Sequence, residues 1–230
     1  MWYLISLFIL VILYVLSIIK MKHCKDKTLK ILSYLPLVVF TIQLFAIVYW
    51  LVKVGPNDWN FKNVLPIANV SPFMFIIVIL VMFLPTKSRK YFNTLISLLS
   101  FAMLIASLIN LLFNSLRNYN FYFIFLLDSI NHVLFSLYGI YIYKTNQTFK
   151  DLKNNLISGS LIVVVAICML IINVIFDTSF FGLSLFGKHN IYNVVISENS
   201  IVSVLVYFVG LIIALFAGFV YQRIISKYLK

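Results

Sequence analysis

The sequence predicts an all-α membrane protein, a polytopic bundle of seven transmembrane helices in a single domain. Of its 230 residues, 63% are hydrophobic and only 10% are charged, and the mean hydropathy is +1.06. A soluble domain of this size has no interior large enough for so much apolar surface. A chain within a bilayer must also satisfy its backbone polar groups internally, which favours helices.

Seven apolar segments are separated by more polar stretches, at about residues 2–19, 31–52, 66–84, 93–113, 121–143, 156–176 and 201–222. A helix of about 20 residues crosses a hydrocarbon layer of about 30 Å, and each segment is close to that length. The first segment has no basic residue before it and no small-residue cleavage motif after it, so we expect a retained helix. In the seventh, Gly210, Ala214 and Gly218 are spaced by four, which predicts a face that packs closely against a neighbouring helix.

The basic residues alternate from one connection to the next. Fourteen of the 18 Lys and Arg residues lie after the first, third, fifth and seventh segments. By the positive-inside rule these connections are cytoplasmic, so the N-terminus is outside and the C-terminus is cytoplasmic. The net charge of +12 is then a topology signal, and the expected partners are membrane lipids rather than nucleic acid. The oligomeric state is not predicted. Tyr221 is assigned to the inner aromatic belt.

The fifth segment, residues 121–143, carries polar side chains near its middle. Asp128 and His132 are four residues apart, which places them on one face of a helix, and Ser136 continues this stripe. Asn131 and Gly139 extend it further. A carboxylate at membrane depth costs several kcal/mol unless it is paired or hydrated. We therefore expect this face to be a functional site or a buried polar network.

Most of the other amide side chains fall in the predicted outer half of the membrane or near its middle, at about 1.5 Å per residue along each helix. The inner halves contain mainly serines. This asymmetry predicts a polar cavity that opens to the outside and ends near the bilayer centre. The candidate substrate-binding residues are Gln43, Asn69, Asn110, Asn131 and Asn190.

Three short stretches, together with the seven-span layout, resemble one family. They are LPIANVSPF before helix 3, INHVLF in helix 5 and GKHNIY before helix 7. They are similar to the YwaF-like bacterial integral membrane proteins, which are related to a eukaryotic transmembrane acyltransferase family and more distantly to androgen-induced membrane lipid hydrolases.

The resemblance implies a bacterial plasma membrane, and a nucleophile on one helix that works with a histidine on another. His132 matches that histidine. Ala68 stands where the family has its cysteine, so either Ser71 substitutes for it or the chain has kept the cavity and lost the chemistry.

Three functions are compatible with these features, and we rank them in the following order. The first is a lipid-directed acyltransferase or hydrolase in which Ser71 attacks, His132 is the general base and Asp128 or Asn131 orients it. The second is a non-catalytic lipid-binding scaffold whose polar face joins helices. The third is a transporter of small molecules or ions with Asp128 and His132 as the coupling site. No cofactor and no metal site is predicted.

Overall fold

The computed structural model describes residues 2–23, 31, 33–54, 70–117, 122–145, 151–176 and 200–229. In these ranges the chain is all-helical, with seven α-helices and no strand, which confirms the predicted fold class. The helices are α1 (Trp2–His23), α2 (Leu35–Val54), α3 (Val70–Leu80), α4 (Thr86–Arg117), α5 (Tyr122–Thr145), α6 (Leu152–Phe176) and α7 (Ser200–Leu229). A short 3-10 helix, Val81–Phe83, follows α3.

Helix α4 begins about two turns earlier than the apolar pattern predicts. Its first turns contain basic residues that this pattern assigns to a loop, namely Lys87, Arg89 and Lys90. Lys and Arg are good helix formers, and the backbone N–H of Arg89 donates to the carbonyl oxygen of Pro85 at 2.9 Å, so helical hydrogen bonding starts at the proline. The Arg89 guanidinium also donates to the Leu84 carbonyl oxygen at 2.8 Å, which fixes the corner between α3 and α4.

The C-terminal ends of α1, α5 and α7 meet. The Lys144 ammonium at the end of α5 donates to the backbone carbonyl oxygen of Met21 in α1. The Lys22 ammonium, also in α1, lies 4.8 Å from the centroid of the Tyr228 ring in α7. These contacts show that the three helices run in the same direction.

Helices α4 and α6 begin at this same end. Short connections join the end of α3 to α4 and the end of α5 to α6. The contacts of α4 with α5 agree with this direction, because Ser107 meets Ser129 whereas Ser100 lies beside Gly139. Nine of the eleven Lys and Arg residues in the described ranges lie at this end, which we call the basic end; they are Lys20, Lys22, Lys87, Arg89, Lys90, Lys144, Lys153, Arg223 and Lys227.

The core forms around α4 and α5. Residues such as Phe75 of α3, Ile96 of α4 and Phe135 of α5 are fully buried in one hydrophobic cluster. Large apolar side chains on α1, α2, α6 and α7 are exposed instead, as expected for surfaces that face lipid.

Four helices in the described ranges are long and apolar enough to cross a membrane. Their candidate spans are Tyr3–His23, Thr86–Ile109, Leu152–Ile175 and Val204–Leu229. The chain therefore has the architecture of a membrane protein. The full count of seven spans stays a prediction.

The glycines of α7 differ in their surroundings. A Cβ atom at Gly218 would overlap the backbone carbonyl of Leu98 in α4, so only glycine allows α7 to approach α4 this closely. A Cβ atom at Gly210 would meet no atom within 4 Å. The predicted small-residue face is therefore confirmed at Gly218, and Gly210 is not part of the contact.

Replacing Gly218 by alanine is expected to destabilise the bundle, because the Leu98 backbone cannot move aside as a flexible side chain would. We expect a loss of about 1–3 kcal/mol in the free energy of unfolding, typical of overpacking. The measurement is SDS-induced unfolding of the purified protein in mixed micelles.

The matched control is Gly210→Ala, the same change on the same helix. It meets open space, so we expect it to leave stability unchanged or to raise it by up to about 1 kcal/mol through helix propensity. Equal losses in the two variants would contradict the close α4–α7 contact.

Candidate functional site

The polar stripe of α5 lies inside the bundle. Ser129, Asn131 and Ser136 are fully buried, and His132 is 5% exposed. Helical spacing turns these positions toward several neighbouring helices rather than toward one partner. The predicted stripe is therefore buried at Asn131, His132 and Ser136, and Ser129, which the sequence analysis did not single out, is buried beside it.

Asp128 and His132 form the charged part of the stripe. His132 Nδ1 lies 2.7 Å from the backbone carbonyl oxygen of Asp128 and 3.6 Å from its carboxylate oxygen Oδ2. A carbonyl oxygen can only accept, so Nδ1 donates this hydrogen bond, which leaves Nε2 as the ring nitrogen that can accept a proton. The Asp128 side chain is 30% exposed, whereas that of His132 is 6% exposed. The pair therefore joins a buried imidazole to a more accessible carboxylate.

Phe75 of α3 forms one wall of this pair. Its ring meets the His132 ring edge-on, with the centroids 5.7 Å apart and the planes at 81°. The same phenyl ring contacts Phe135 one turn further along α5, at 5.9 Å between centroids. The imidazole is thus held between its own helix backbone and an aromatic side chain of α3, which restricts its rotation.

Asn131 joins α5 to α2. Its side-chain amide hydrogen-bonds the side chain of Gln43. In the swapped amide orientation, the Asn131 nitrogen donates instead to the Val39 carbonyl oxygen at 3.1 Å, and its oxygen accepts from the Gln43 backbone N–H at 3.3 Å. Asn131 and Gln43 are 0% and 8% exposed. The sequence therefore identified two residues that do meet, and their contact is a bond between helices.

Ser129 joins α5 to α4 in a similar way. The Ser107 hydroxyl donates to the backbone carbonyl oxygen of Ser129 at 2.9 Å, and the Ser129 hydroxyl donates to the backbone carbonyl oxygen of Ser107 at 3.4 Å. Both residues are fully buried. This reciprocal contact between side chains and backbone requires a close approach of the two helices, which small serine side chains permit.

Three hydroxyl groups on three helices form a cluster that the sequence did not predict. The Tyr14 hydroxyl of α1 hydrogen-bonds Ser136 Oγ of α5 at 2.8 Å, and it also hydrogen-bonds the Tyr221 hydroxyl of α7. The assignment of Tyr221 to the inner aromatic belt missed this bond. The spacing of Ser136 could have indicated it. Ser136 is four residues after His132, so it lies on the same polar face of α5, where a buried hydroxyl requires a hydrogen-bond partner.

Polar burial also extends farther toward the basic end than predicted. Asn155 of α6 and Gln222 of α7 are 6% and 4% exposed. Both lie at the edges of the apolar segments in the sequence, where polar side chains are commonly exposed. Helix α6 begins before its predicted segment and helix α7 ends after its own, so the helix continues past both residues.

The structure describes only part of the predicted site. It pairs Asn131 with Gln43 at the α2–α5 contact, and it pairs His132 with Asp128 within α5, where Phe75 of α3 contacts the His132 ring. Ser71 and Asn110 lie in α3 and α4, but their side chains are outside the described part of the chain, as are residues Asn69 and Asn190 altogether.

Comparison with known proteins adds no relative. No protein-family model, no curated protein and no solved structure matches this chain.

The Asn131–Gln43 bond is expected to stabilise the bundle. Truncating either residue to alanine leaves the other amide buried without its partner, which costs about 1–3 kcal/mol. In a double-mutant cycle of Asn131→Ala and Gln43→Ala, we expect a coupling energy of about 0.6–1.7 kcal/mol, the range for hydrogen bonds between membrane helices. SDS-induced unfolding of the four proteins measures it.

Thr41→Ala is the control on α2. Its exposed hydroxyl donates to the Leu37 carbonyl oxygen of its own helix, so its removal should cost little and should not couple to Asn131. A coupling energy near zero between Asn131 and Gln43 would show that the bond does not join the helices.

Proposed function

We propose that the protein spans a cell membrane seven times, with the basic end in the cytoplasm and the N-terminus outside. The collection of nine basic residues at one end supports this orientation, because cytoplasmic connections carry the excess of Lys and Arg. Four of the described helices are long and apolar enough to cross a membrane. Helices α2 and α5, with 20 and 24 residues, are also long enough to span the hydrocarbon layer, which supports the count of seven spans.

We propose further that Asp128 and His132 are the working pair of a lipid-directed hydrolase or acyltransferase. The observation that carries this proposal is the hydrogen bond from His132 Nδ1 to the Asp128 carbonyl oxygen, which makes Nε2 the proton acceptor of the ring. A nearby carboxylate then stabilises the imidazolium that forms when the ring takes a proton. This is the arrangement that a general base requires.

Ser71 is the proposed nucleophile. It lies four residues before Phe75 on α3, and the Phe75 ring contacts the His132 ring. In the proposed topology α3 and α5 run in the same direction, which puts the turn that contains Ser71 near the level of Asp128. Placement within one turn of the base is compatible with a serine–histidine pair.

The reaction that follows from these roles is acyl transfer from a lipid ester. Ser71 Oγ bonds to the ester carbonyl carbon while His132 Nε2 takes the hydroxyl proton. The ester C–O bond then breaks, and the leaving alkoxide takes that proton from the imidazolium. Water or a second lipid hydroxyl releases the acyl group from Ser71 by the same steps in reverse. The proposal keeps the YwaF-like resemblance, with serine in place of the family's cysteine.

A non-catalytic lipid-binding scaffold is the second candidate. It is favoured by the fact that Ser129, Asn131 and Ser136 all contact other helices, so most of the polar stripe holds the bundle together. In this case Asp128 and His132 would contribute to stability alone. The transport function, with Asp128 and His132 as the coupling site, stays a prediction, because none of the described contacts tests it.

The test is lipid turnover by purified protein in vesicles of phosphatidylethanolamine and phosphatidylglycerol. We expect His132→Ala and Ser71→Ala each to reduce the release or transfer of fatty acyl groups by about 100-fold or more, the usual contribution of general-base catalysis. Mass spectrometry of the extracted lipids measures the products.

Ser17→Ala is the matched serine control, because the exposed Ser17 hydroxyl donates only within α1, to the Leu13 carbonyl oxygen at 2.7 Å. It should retain full turnover. Turnover that is unchanged in both site variants would exclude the enzyme. If those variants also unfold more readily, the scaffold is the better description.

A further inference from the structure

Two lysines and a tyrosine from three helices lie around the last turn of α1, at the basic end. The Lys22 ammonium of α1 lies 4.8 Å from the centroid of the Tyr228 ring of α7, and the Lys144 ammonium of α5 donates to the neighbouring Met21 carbonyl oxygen. Lys22 is exposed, Lys144 is half-buried and Tyr228 is 42% exposed. We call these three residues the basic triad. The two contacts involve consecutive residues of α1, Met21 and Lys22, next to the seam between α1 and α7.

The two ammonium groups have no internal counter-ion in the part of the chain that the structure describes. Its acidic residues are Asp128 and Asp151. Asp128 pairs with His132 within α5. Asp151 accepts a hydrogen bond from the backbone N–H of Lys153 at 2.9 Å, at the start of α6. The charge of the two ammonium groups favours an anionic ligand, because charge-assisted hydrogen bonds to phosphate are strong ones.

Exposed apolar side chains continue from the triad along the same seam. Ile19 and Val15 are three and seven residues before Lys22, which places them on its face of α1, and they are 41% and 48% exposed. Ile224 is four residues before Tyr228 on α7 and is 60% exposed. A charged end above an apolar seam matches a molecule with an anionic head and hydrocarbon chains.

We infer that the basic triad and the adjoining α1–α7 seam bind an anionic phospholipid. The phosphate of the headgroup is held by the ammonium groups of Lys22 and Lys144 and by the Tyr228 hydroxyl, and the acyl chains lie along Val15, Ile19 and Ile224. Each ammonium group has three N–H donors, so the bond from Lys144 to Met21 leaves donors for the phosphate. Basic groups between membrane helices at the cytoplasmic surface are suited to such headgroups. This site is separate from His132 and does not depend on the proposed reaction.

Native mass spectrometry of the purified protein tests the inference. The protein is released from micelles after titration with phosphatidylglycerol or with phosphatidylcholine of the same acyl chains. We expect phosphatidylglycerol to be retained in preference. Lys22→Gln should weaken its apparent affinity about fivefold, the effect of removing one lysine beside an anionic lipid. Lys144→Gln should weaken it at least as much.

Lys153→Gln is the matched control. It removes the same charge at the same end of the bundle, but from α6 and outside the triad, so the affinity should stay within twofold of the wild type. A second control is glycerol phosphate in solution, which carries the headgroup chemistry without the chains. It should not displace the lipid at millimolar concentration.

Three results would overturn the inference. They are equal retention of the two lipids, an equal loss of affinity in Lys153→Gln and Lys22→Gln, and displacement of the lipid by glycerol phosphate. The first or second would mean that the triad is not a specific site, and the third would mean that it binds free phosphate. If Lys144→Gln destabilises the packing of α1, Lys22→Gln still tests the lipid site. The Lys22 side chain makes no hydrogen bond to another helix in the described ranges, so its replacement should leave the fold intact.

Discussion

The bundle depends on a single constraint: polar groups that α5 carries into the interior must find partners on other helices, because the hydrocarbon region offers no water. Ser129 meets α4, Asn131 meets α2, Ser136 meets α1, and Lys144 meets α1 again at the basic end. Each such bond is modest for helices in a membrane, worth about 0.6 kcal/mol on average. Together they define the rotation of α5 and the position of the helices that they join to it. Apolar packing alone would define these less precisely, because lipid tails are as apolar as the helix surfaces.

The Asp128–His132 pair has a geometry that α5 itself fixes, because His132 Nδ1 bonds to the Asp128 carbonyl oxygen one turn earlier. The backbone of one helix fixes the distance between the two residues, and Phe75 of α3 limits the rotation of the ring. The functional proposal rests on Asp128 and His132 because they place a carboxylate beside an imidazole.

The two ends of the bundle differ in charge and therefore in what they can bind. At the basic end, the lysine of α5 bonds to the Met21 carbonyl oxygen of α1, and the next residue, Lys22, lies over an aromatic ring of α7. These contacts are possible because these three helices run in one direction and their last turns reach the same level. In the proposed topology these positive charges orient the chain, and in the proposed lipid site the same residues bind an anionic headgroup.

The amount that could be predicted from the sequence varied from element to element. The segments around α1, α2 and α5 were located well, because their apolar runs end close to the helix ends. The start of α4 was missed because hydropathy does not report helix propensity, and the basic residues after Pro85 are good helix formers. For the site, Asp128 and His132 were placed on one face by their spacing alone. The meeting of Asn131 with Gln43 could not be derived, since it depends on how α2 rotates against α5.

By itself, the sequence determined that this chain is a helical membrane protein, where its apolar helices lie and which face of α5 is polar. Those properties follow from hydropathy and from the 3.6-residue period of the helix, which are local. Only the tertiary structure decided which helix each polar residue meets. It joined Tyr14 and Tyr221 at Ser136, and it placed Lys22 beside Tyr228. The reason is physical: such contacts join residues far apart in the chain, and they depend on the packing angles and rotations of whole helices.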